Sequence, residues 1–501
     1  MNLRDRLPRN LQAFAWYPLL FVASVILREF VVVDVSPFAM FRPLILALAC
    51  VAVVEVALGL LLRDWDRGGL ATALILFGVL GWGDWRVLLL LVLLTAVLVL
   101  LERLPRRHVS TSAITSSLNV FTSVLLLLVL AGGVQSGRAA GAVADLVPTV
   151  GVQQAVARTS APDPDIYVIV MDGYARPDNL LTRFGFDDTP FLESLANLGF
   201  DTSSSSRSNY AGTAFTLVSM FHMAYLDEIP EVARKMAFAP PGDDGVGSGL
   251  LREAINDNRA FSELRARGYE IVSVGAFVEQ IEVRRADVYL DAGGINSFEF
   301  ALLSRAPGIT AVAQAIAPDF AGEQARARLN SSFAALQTIS HAMAPQPRLV
   351  FVHLMVPHPP AVFGPNGEPL PVGLSGLLSE ASPDFATAKA RYAGQVTYVN
   401  KRVEAAIAEL VDASPSSVIV LMSDHGSRYG SIDQPWADEA MESFFSARTP
   451  GHSRLFGDSP TPVNLFPTLF NAYLGMDLPL SANRSFMSAN DAPLRLSEVF
   501  P

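Results

Sequence analysis

The chain has one cysteine, Cys50, and it lies inside an apolar run. A single thiol excludes a disulfide framework and any cysteine metal site. Its expected role is a small buried apolar side chain. Basic charge is also scarce. Lys and Arg number 37 against 48 Asp and Glu, for a net charge of −11, so the basic signature of a nucleic-acid binder is missing. The sequence has no internal repeat and no long low-complexity tract. No small-residue cleavage site follows the first apolar segment, and more such segments come after it, so it does not read as a cleaved signal peptide. What the chain does have is apolar residues, 51% of 501, with the excess in the first 140. The rest is long enough for one large domain or two small ones.

Five apolar segments occupy the first part, roughly Phe14–Leu27, Pro43–Leu62, Gly69–Trp82, Val87–Leu101 and Leu118–Val134. A span needs about 20 mostly apolar residues. The second segment qualifies and the fifth nearly does. The first does so if it runs past Arg28 to Val33. The third and fourth are short, either a tight pair of spans or a re-entrant hairpin. Charged ends at Arg63 to Arg67 and Arg103 to Arg107 favour two spans. With the N-terminus inside, eight arginines fall on inner segments and three (Arg28, Arg42, Arg86) on outer ones, as the positive-inside rule requires. The expectation is a multi-pass α-helical membrane domain over 1–134 with about five spans. A juxtamembrane linker follows over 135–164, then an extracytoplasmic domain over 165–501.

From Asp165 the pattern changes to strands alternating with helices. Strands are expected at Ile166–Met171, Tyr269–Val274, Arg348–Leu354, Val418–Ser423 and Ser443–Ala447. Helices are expected at Thr189–Leu198, Asn258–Arg267, Gln324–Met343 and Ala388–Val411. That alternation predicts a mostly parallel central sheet with helices on both faces.

Four stretches carry candidate chemistry. The first, DIYVIVMDG, is a buried strand ending in Asp172, and ligands in open α/β sheets collect at the carboxyl ends of strands. An Asp-Gly after a strand is also an ordinary turn. The second, SNYAGTAFTLVSMFHMAY, places Thr213 where a helix begins. There it is either an N-cap or a hydroxyl beside free N–H groups and a positive dipole end, where an anion is favoured. Ser219 and His222 further along read as structural, and Asn209 is a candidate substrate contact. The third, FVHLMVPHPPAVF, ends a strand at His353 and holds His358 in a proline-stiffened turn. The fourth, SVIVLMSDHG, ends a second buried strand in Asp424 and His425. A carboxylate beside an imidazole suits Zn²⁺ or Mn²⁺. His452 in a Pro-Gly-His turn and Arg428 in the loop after the fourth stretch are further substrate candidates. Substrate contacts are also expected from Asn179–Asp188. Together Asp172, Thr213, Asp424 and His425 offer three oxygens and one nitrogen to one cation, and a metal-bound threonine is a sensible nucleophile.

In this order the motifs (strand-DG, NYxxT at a helix start, HxxxPHPP, SDHG) resemble the membrane-anchored sulfatase-like branch of the alkaline phosphatase superfamily. That branch includes the lipoteichoic acid synthases and lipid A phosphoethanolamine transferases. The resemblance implies an alkaline phosphatase/sulfatase-type α/β domain behind N-terminal spans. It implies one divalent ion (Zn²⁺ or Mn²⁺, with Mg²⁺ a further option) held by Asp172, Thr213, Asp424 and His425. It also implies Thr213 as nucleophile, His358 near the transferred group or leaving oxygen, and a lipid or cell-envelope polymer as substrate. Departures matter. Thr-Ala-Phe-Thr stands where sulfatases carry the Cys- or Ser-x-Pro-x-Arg motif that yields formylglycine. No second Asp/His/His set precedes SDHG, and the first acid is Asp where the transferases usually have Glu. The expected activity is phosphoester transfer or hydrolysis. Sulfuric ester hydrolysis without formylglycine, or a catalytically dead envelope-ligand binder, are the alternatives.

Overall fold

The structure is a computed structural model. It describes residues 14–32, 37–80, 111–135, 163–238, 249–276, 278–304, 306–342, 344–373, 385–428, 434–489 and 492–500. The chain divides into two compact units, Met1–Pro148 with Asn296–Pro318, and Thr149–Ile295 with Asp319–Pro501. The second domain was expected to run uninterrupted from 165. Instead, a stretch of its sequence packs with the first unit.

The first unit contains α1 (Tyr17–Val32), α2 (Pro37–Leu62), α3 (Trp65–Leu80) and α4 (Thr111–Gln135), followed by two inserted helices, α5 (Ser297–Ser304) and α6 (Pro307–Ile316). Among the described residues two helices are long and apolar enough to cross a membrane, at Phe38–Leu62 and Thr111–Gly132. This corrects the expectation of about five spans. With 16 residues each, α1 and α3 reach about 24 Å at 1.5 Å per residue, short of a ~30 Å hydrocarbon core. The expected fourth segment and nearly all of the expected linker lie outside the described residues. The long helices present apolar side chains outward, Val53 at 68% and Leu127 at 65% exposure. That surface suits lipid and is costly in water. Cys50, expected to be buried, is exposed on α2, since a lipid-facing position is as apolar as a core.

The second unit is an α/β domain. Its strands are β1 (Ile166–Met171), β2 (Asp201–Thr202), β3 (Glu270–Val274), β4 (Val288–Leu290), β5 (Arg348–Leu354), β6 (Val418–Met422) and β7 (Phe445–Arg448), in the order β2-β7-β6-β1-β5-β3-β4. β1 pairs in parallel with both β5 and β6, and β3 in parallel with β4 and β5. Only β7 runs antiparallel to its neighbours β6 and β2. A hairpin of β8 (Ser485–Ala489) and β9 (Ala492–Phe500) forms a separate small sheet.

The central strands are continuous apolar runs because both faces are covered. Side chains alternate across the pleat, so β1 feeds two cores. Ile166, Val168 and Val170 pack with the helices Thr213–His222, Arg259–Ala266 and Leu465–Leu474. Tyr167, Ile169 and Met171 pack with Phe320–His341 and Phe385–Ala413. The chain reaches β5 on one side of β1 and β6 on the other, so the carboxyl end of β1 is a crevice where strand order diverges. The short edge strands β2 and β4 were not expected, as runs of two and three residues carry no readable periodicity.

Candidate metal centre

Asp172 follows β1 directly, and its N–H donates to Leu354 O at 2.9 Å. Asp424 and His425 follow β6 after Ser423. The two motifs hold each other in place. Gly173 N donates to Asp424 Oδ1 at 3.2 Å, Tyr174 N donates to Ser423 Oγ at 2.8 Å, and Ser423 Oγ donates to His425 O at 2.6 Å. Gly173 turns the chain with φ +70°, a conformation other residues rarely adopt. At Gly426 a Cβ would lie 2.0 Å from Glu439 O, so only glycine fits.

A residue not singled out as a ligand from the sequence joins them. His353, next to last in β5, sits opposite Val170. Its Nε2 lies 3.2 Å from Asp172 Oδ2. One donor atom from each of Asp172, His353 and Asp424 falls within 4.8 Å of the others. His425 Nε2 is 3.6 Å from Asp172 Oδ1 and 3.4 Å from Asp424 Oδ2. All four side chains are at most 2% exposed. The signal for His353 was present as the first histidine of HxxxPHPP, but inside an apolar run it reads as a strand residue.

The donors are orphaned. Asp172 Oδ1, Asp424 Oδ2, His425 Nε2 and both ring nitrogens of His353 are buried and make no hydrogen bond. A buried polar atom left without a partner costs about 1–3 kcal/mol, so unpartnered atoms on four neighbouring side chains call for an explanation. His425 Nδ1 lies 2.7 Å from Gly426 O, so Nδ1 carries the hydrogen and the Nε2 lone pair faces two carboxylates. Lone pairs converging in a dry site fit a cation. The protonation states of Asp172 and His425 agree. Burial alone would raise the Asp172 carboxyl, but His358, His353 and His425 outweigh it and hold it well below the usual carboxylate range. Burial lowers His425, with Asp424 opposing and Arg428 assisting, which favours the neutral imidazole a metal requires. For His353 burial pulls down, but the Asp172 carboxylate 3.2 Å away outweighs it and raises the ring above its ordinary value, so it would release a proton on taking an ion.

Thr213 is the first residue of its helix and half-buried; the N-cap is Gly212, with no side-chain cap. The first turn's N–H groups have no acceptors within the helix. The loop before it is tied to the centre, since Ser208 Oγ donates to Asp424 O. His358 Nε2 accepts from Arg428 Nη2 at 2.9 Å, and Arg428 Nη1 reaches Ala211 O at 3.5 Å. The rings of His358 and His425 are 6.5 Å apart. Arg428 and His358 therefore link the loop before the helix to the neighbourhood of His425.

Other candidates are placed elsewhere. Asn209 is fully buried. Its Oδ1 accepts from Val463 N, and its Nδ2 donates to Arg484 O, each at 2.8 Å. It braces the loop against the C-terminal hairpin and leaves no atom for a substrate. Since β7 is antiparallel, the chain leaves it beside Ile419, at the amino end of β6. His452 therefore emerges at the opposite end of the sheet, edge-on to Tyr473 at 4.9 Å. Asn179 binds Glu442 at 2.6 Å, and Asp188 is buried against Tyr174 and Asn400, so both are internal. Ser219 and His222 bond to Ala224 O and Ala254 O, as structural residues do.

An α/β domain with a buried Asp/His/Asp group able to bind a metal at its strand ends is the class that fold and site define. No family model and no curated protein matches the chain. Among solved structures it is similar to the C-terminal periplasmic domain of EptC from Escherichia coli, at 13% identity and TM-score 0.45, covering 68% of this chain and 93% of that one. It is similar to the lipoteichoic acid synthase LtaP from Listeria monocytogenes, at 13% identity and TM-score 0.39, covering 63% and 73%. It is also similar to the integral membrane lipooligosaccharide phosphoethanolamine transferase A from Neisseria meningitidis, at 13% identity and TM-score 0.40, covering 72% and 68%.

Proposed function

We propose that this chain is a membrane-anchored, metal-dependent phosphoester transferase or hydrolase of the sulfatase-like branch, acting outside the membrane on lipid head groups or an envelope polymer. The observation that carries the reading is the gathering of buried, unpartnered side-chain atoms from Asp172, His353, Asp424 and His425 at the carboxyl ends of β1, β5 and β6. Asp172, Asp424, His425 and His353 would hold one divalent ion, with the Thr213 hydroxyl as a further donor. When bound, such an ion lowers the pKa of a hydroxyl and offsets charge on a transferred phosphoryl group.

The remaining steps belong to the protein. Thr213 Oγ gives up its proton and attacks phosphorus. The bond from phosphorus to the leaving oxygen breaks with its electron pair, and the departing alcoholate takes up a proton. The phosphothreonine then transfers its group to water or an acceptor hydroxyl, which loses a proton, and Thr213 is restored. The open N–H groups at the helix start favour the anion. Arg428, whose Nη2 donates to His358 Nε2, would contact the phosphoryl oxygens. Because His358 Nε2 is an acceptor here, it must first take up a proton to serve the leaving oxygen.

The test is Thr213→Ala. It should abolish turnover while leaving the fold unchanged, and the wild type should carry a phosphate adduct on Thr213 during turnover. A fully active Thr213→Ala protein overturns the proposal. Parallel assays on aryl phosphate mono- and diesters and aryl sulfate separate it from sulfuric ester hydrolysis.

A further inference from the structure

The insertion 296–318 belongs by sequence to the catalytic half and by packing to the helical unit. Phe298 at its start is fully buried with Val22, Ile26, Ala39 and Met40, and its ring meets Phe30 edge-on at 6.4 Å. Arg42 of α2 forms a two-pronged ion pair with Glu299 through Nε and Nη2. Glu299 is itself fixed by reciprocal capping. Asn296 N donates to its carboxylate at 3.0 Å, and Glu299 N donates to Asn296 Oδ1 at 2.8 Å. Gly308 of α6 rests on the end of α3, where a Cβ would lie 2.8 Å from Val79 O. The insertion therefore covers one end of the bundle, formed by the end of α1, the start of α2 and the end of α3.

What α6 turns outward is uncharged and mostly apolar, with Gln314 the exposed polar residue among those described. No charged residue occurs between Ala306 and Pro318. Ile309 and Ile316, seven residues apart and so on one helical face, are 42% and 79% exposed. At ten residues, or about 15 Å, α6 is too short to span a bilayer. It packs on α3, where Ile75 and Phe77 are 48% and 36% exposed, and Ile45 and Leu46 near the start of α2 are 63% and 58% exposed.

We infer that α5 and α6 form a monotopic membrane element lying in the outer interface of the bilayer, with Ile309 and Ile316 turned to the acyl chains and the Arg42–Glu299 pair fastening it to the span α2. The occupant of the apolar face is lipid, because the face sits at the level of three helix ends in a unit whose long helices turn apolar side chains outward. On the topology expected from the arginines, with the N-terminus inside, these same ends fall outside. The inference rests on the membrane reading above, but not on the chemistry assigned to Thr213.

The test uses the full-length protein with Cys50→Ser, reconstituted in vesicles of phosphatidylethanolamine and phosphatidylglycerol. Ile316→Cys is compared with Leu127→Cys on α4 and Leu480→Cys in the α/β unit. At positions 316 and 127 a membrane-impermeant maleimide should react about tenfold or more slowly than at 480, and a fluorophore there should be quenched by brominated lipids, as for an interfacial helix. Adding Arg42→Glu should speed labelling at 316, and pairing it with Glu299→Arg should restore protection. Labelling at 316 as fast as at 480, with 127 protected, overturns the inference alone. Fast labelling at 127 overturns the membrane reading with it. Protection at 316 without lipid quenching assigns the face to protein and overturns the inference as well.

Discussion

The two ends of β1 and β5 solve the same problem in opposite ways. At the amino end Arg348 is buried, yet its Nη2 reaches Asp165 at 3.0 Å, its Nη1 donates to Ile339 O at 3.1 Å, and Tyr167 OH lies 3.4 Å away. Asp165 Oδ1 in turn accepts from Arg348 N at 2.8 Å. At the carboxyl end, one strand length away, Asp172, His353, Asp424 and His425 are buried just as deeply and leave five donor atoms unmet. A charge whose partners come from the chain is structural. Charges gathered without partners stand ready for something the chain does not supply.

Breaking the carboxyl end should cost function most. Asp424→Ala should cut turnover by at least ~10³-fold, as loss of an essential catalytic-site group does, with an unchanged circular dichroism spectrum. Activity within tenfold of wild type would place the chemistry elsewhere. Breaking the amino end should do the reverse. Arg348→Ala strands Asp165 and should cost about 3 kcal/mol of stability in urea melts while metal affinity holds. Loss of metal affinity without loss of stability would erase the contrast. A finer probe is His353→Ala, expected to weaken metal binding roughly 10–100-fold by calorimetric titration. Unchanged affinity would make His353 a bystander.

The smallest effect concerns a buried acid used by neither end. Burial pushes the Asp188 carboxyl up to about 7, with bonds from Tyr174 and Asn400 opposing. The neutral acid completes a closed ring. Asn400 Nδ2 donates to Asp188 Oδ1 at 2.7 Å, Tyr174 OH donates to Asn400 Oδ1 at 2.7 Å, and the acid proton can serve Tyr174 OH from Oδ2 at 3.1 Å. A folded-state value above the unfolded one means that its contribution is fully present below about pH 4 and is lost as pH rises through about 7. Urea melts at pH 5 and pH 8 should show this loss, and Asp188→Asn should remove it. Equal pH dependence in both proteins would contradict the assignment.

The amino acid order reveals much of this and hides the rest for identifiable reasons. Asp172, Asp424 and His425 were legible because each follows an apolar run whose end is easy to see. His353 was not singled out because its role depends on the register of β5 against β1, a relation between residues 183 positions apart. Asn209 looked like a substrate contact because a polar residue in a loop gives no hint that its amide will be used up by Val463 and Arg484. His452 failed for a topological reason, since only the antiparallel course of β7 shows which end of the sheet it reaches. The core strands were readable from their apolar runs. The insertion was not, because α5 and α6 look like any pair of helices between strands until Phe298 is seen among the residues of α1 and α2.

The central claim is that the carboxyl-end donors are incomplete without a metal ion. It is tested most directly by stripping the purified full-length protein with chelator, titrating Zn²⁺ or Mn²⁺ back, and measuring bound metal per chain for the wild type and Asp172→Ala. The account predicts one tightly bound ion in the wild type, accompanied by a rise in melting temperature, and none in the variant. A wild-type protein that stays empty, or a variant that binds as tightly, would contradict it.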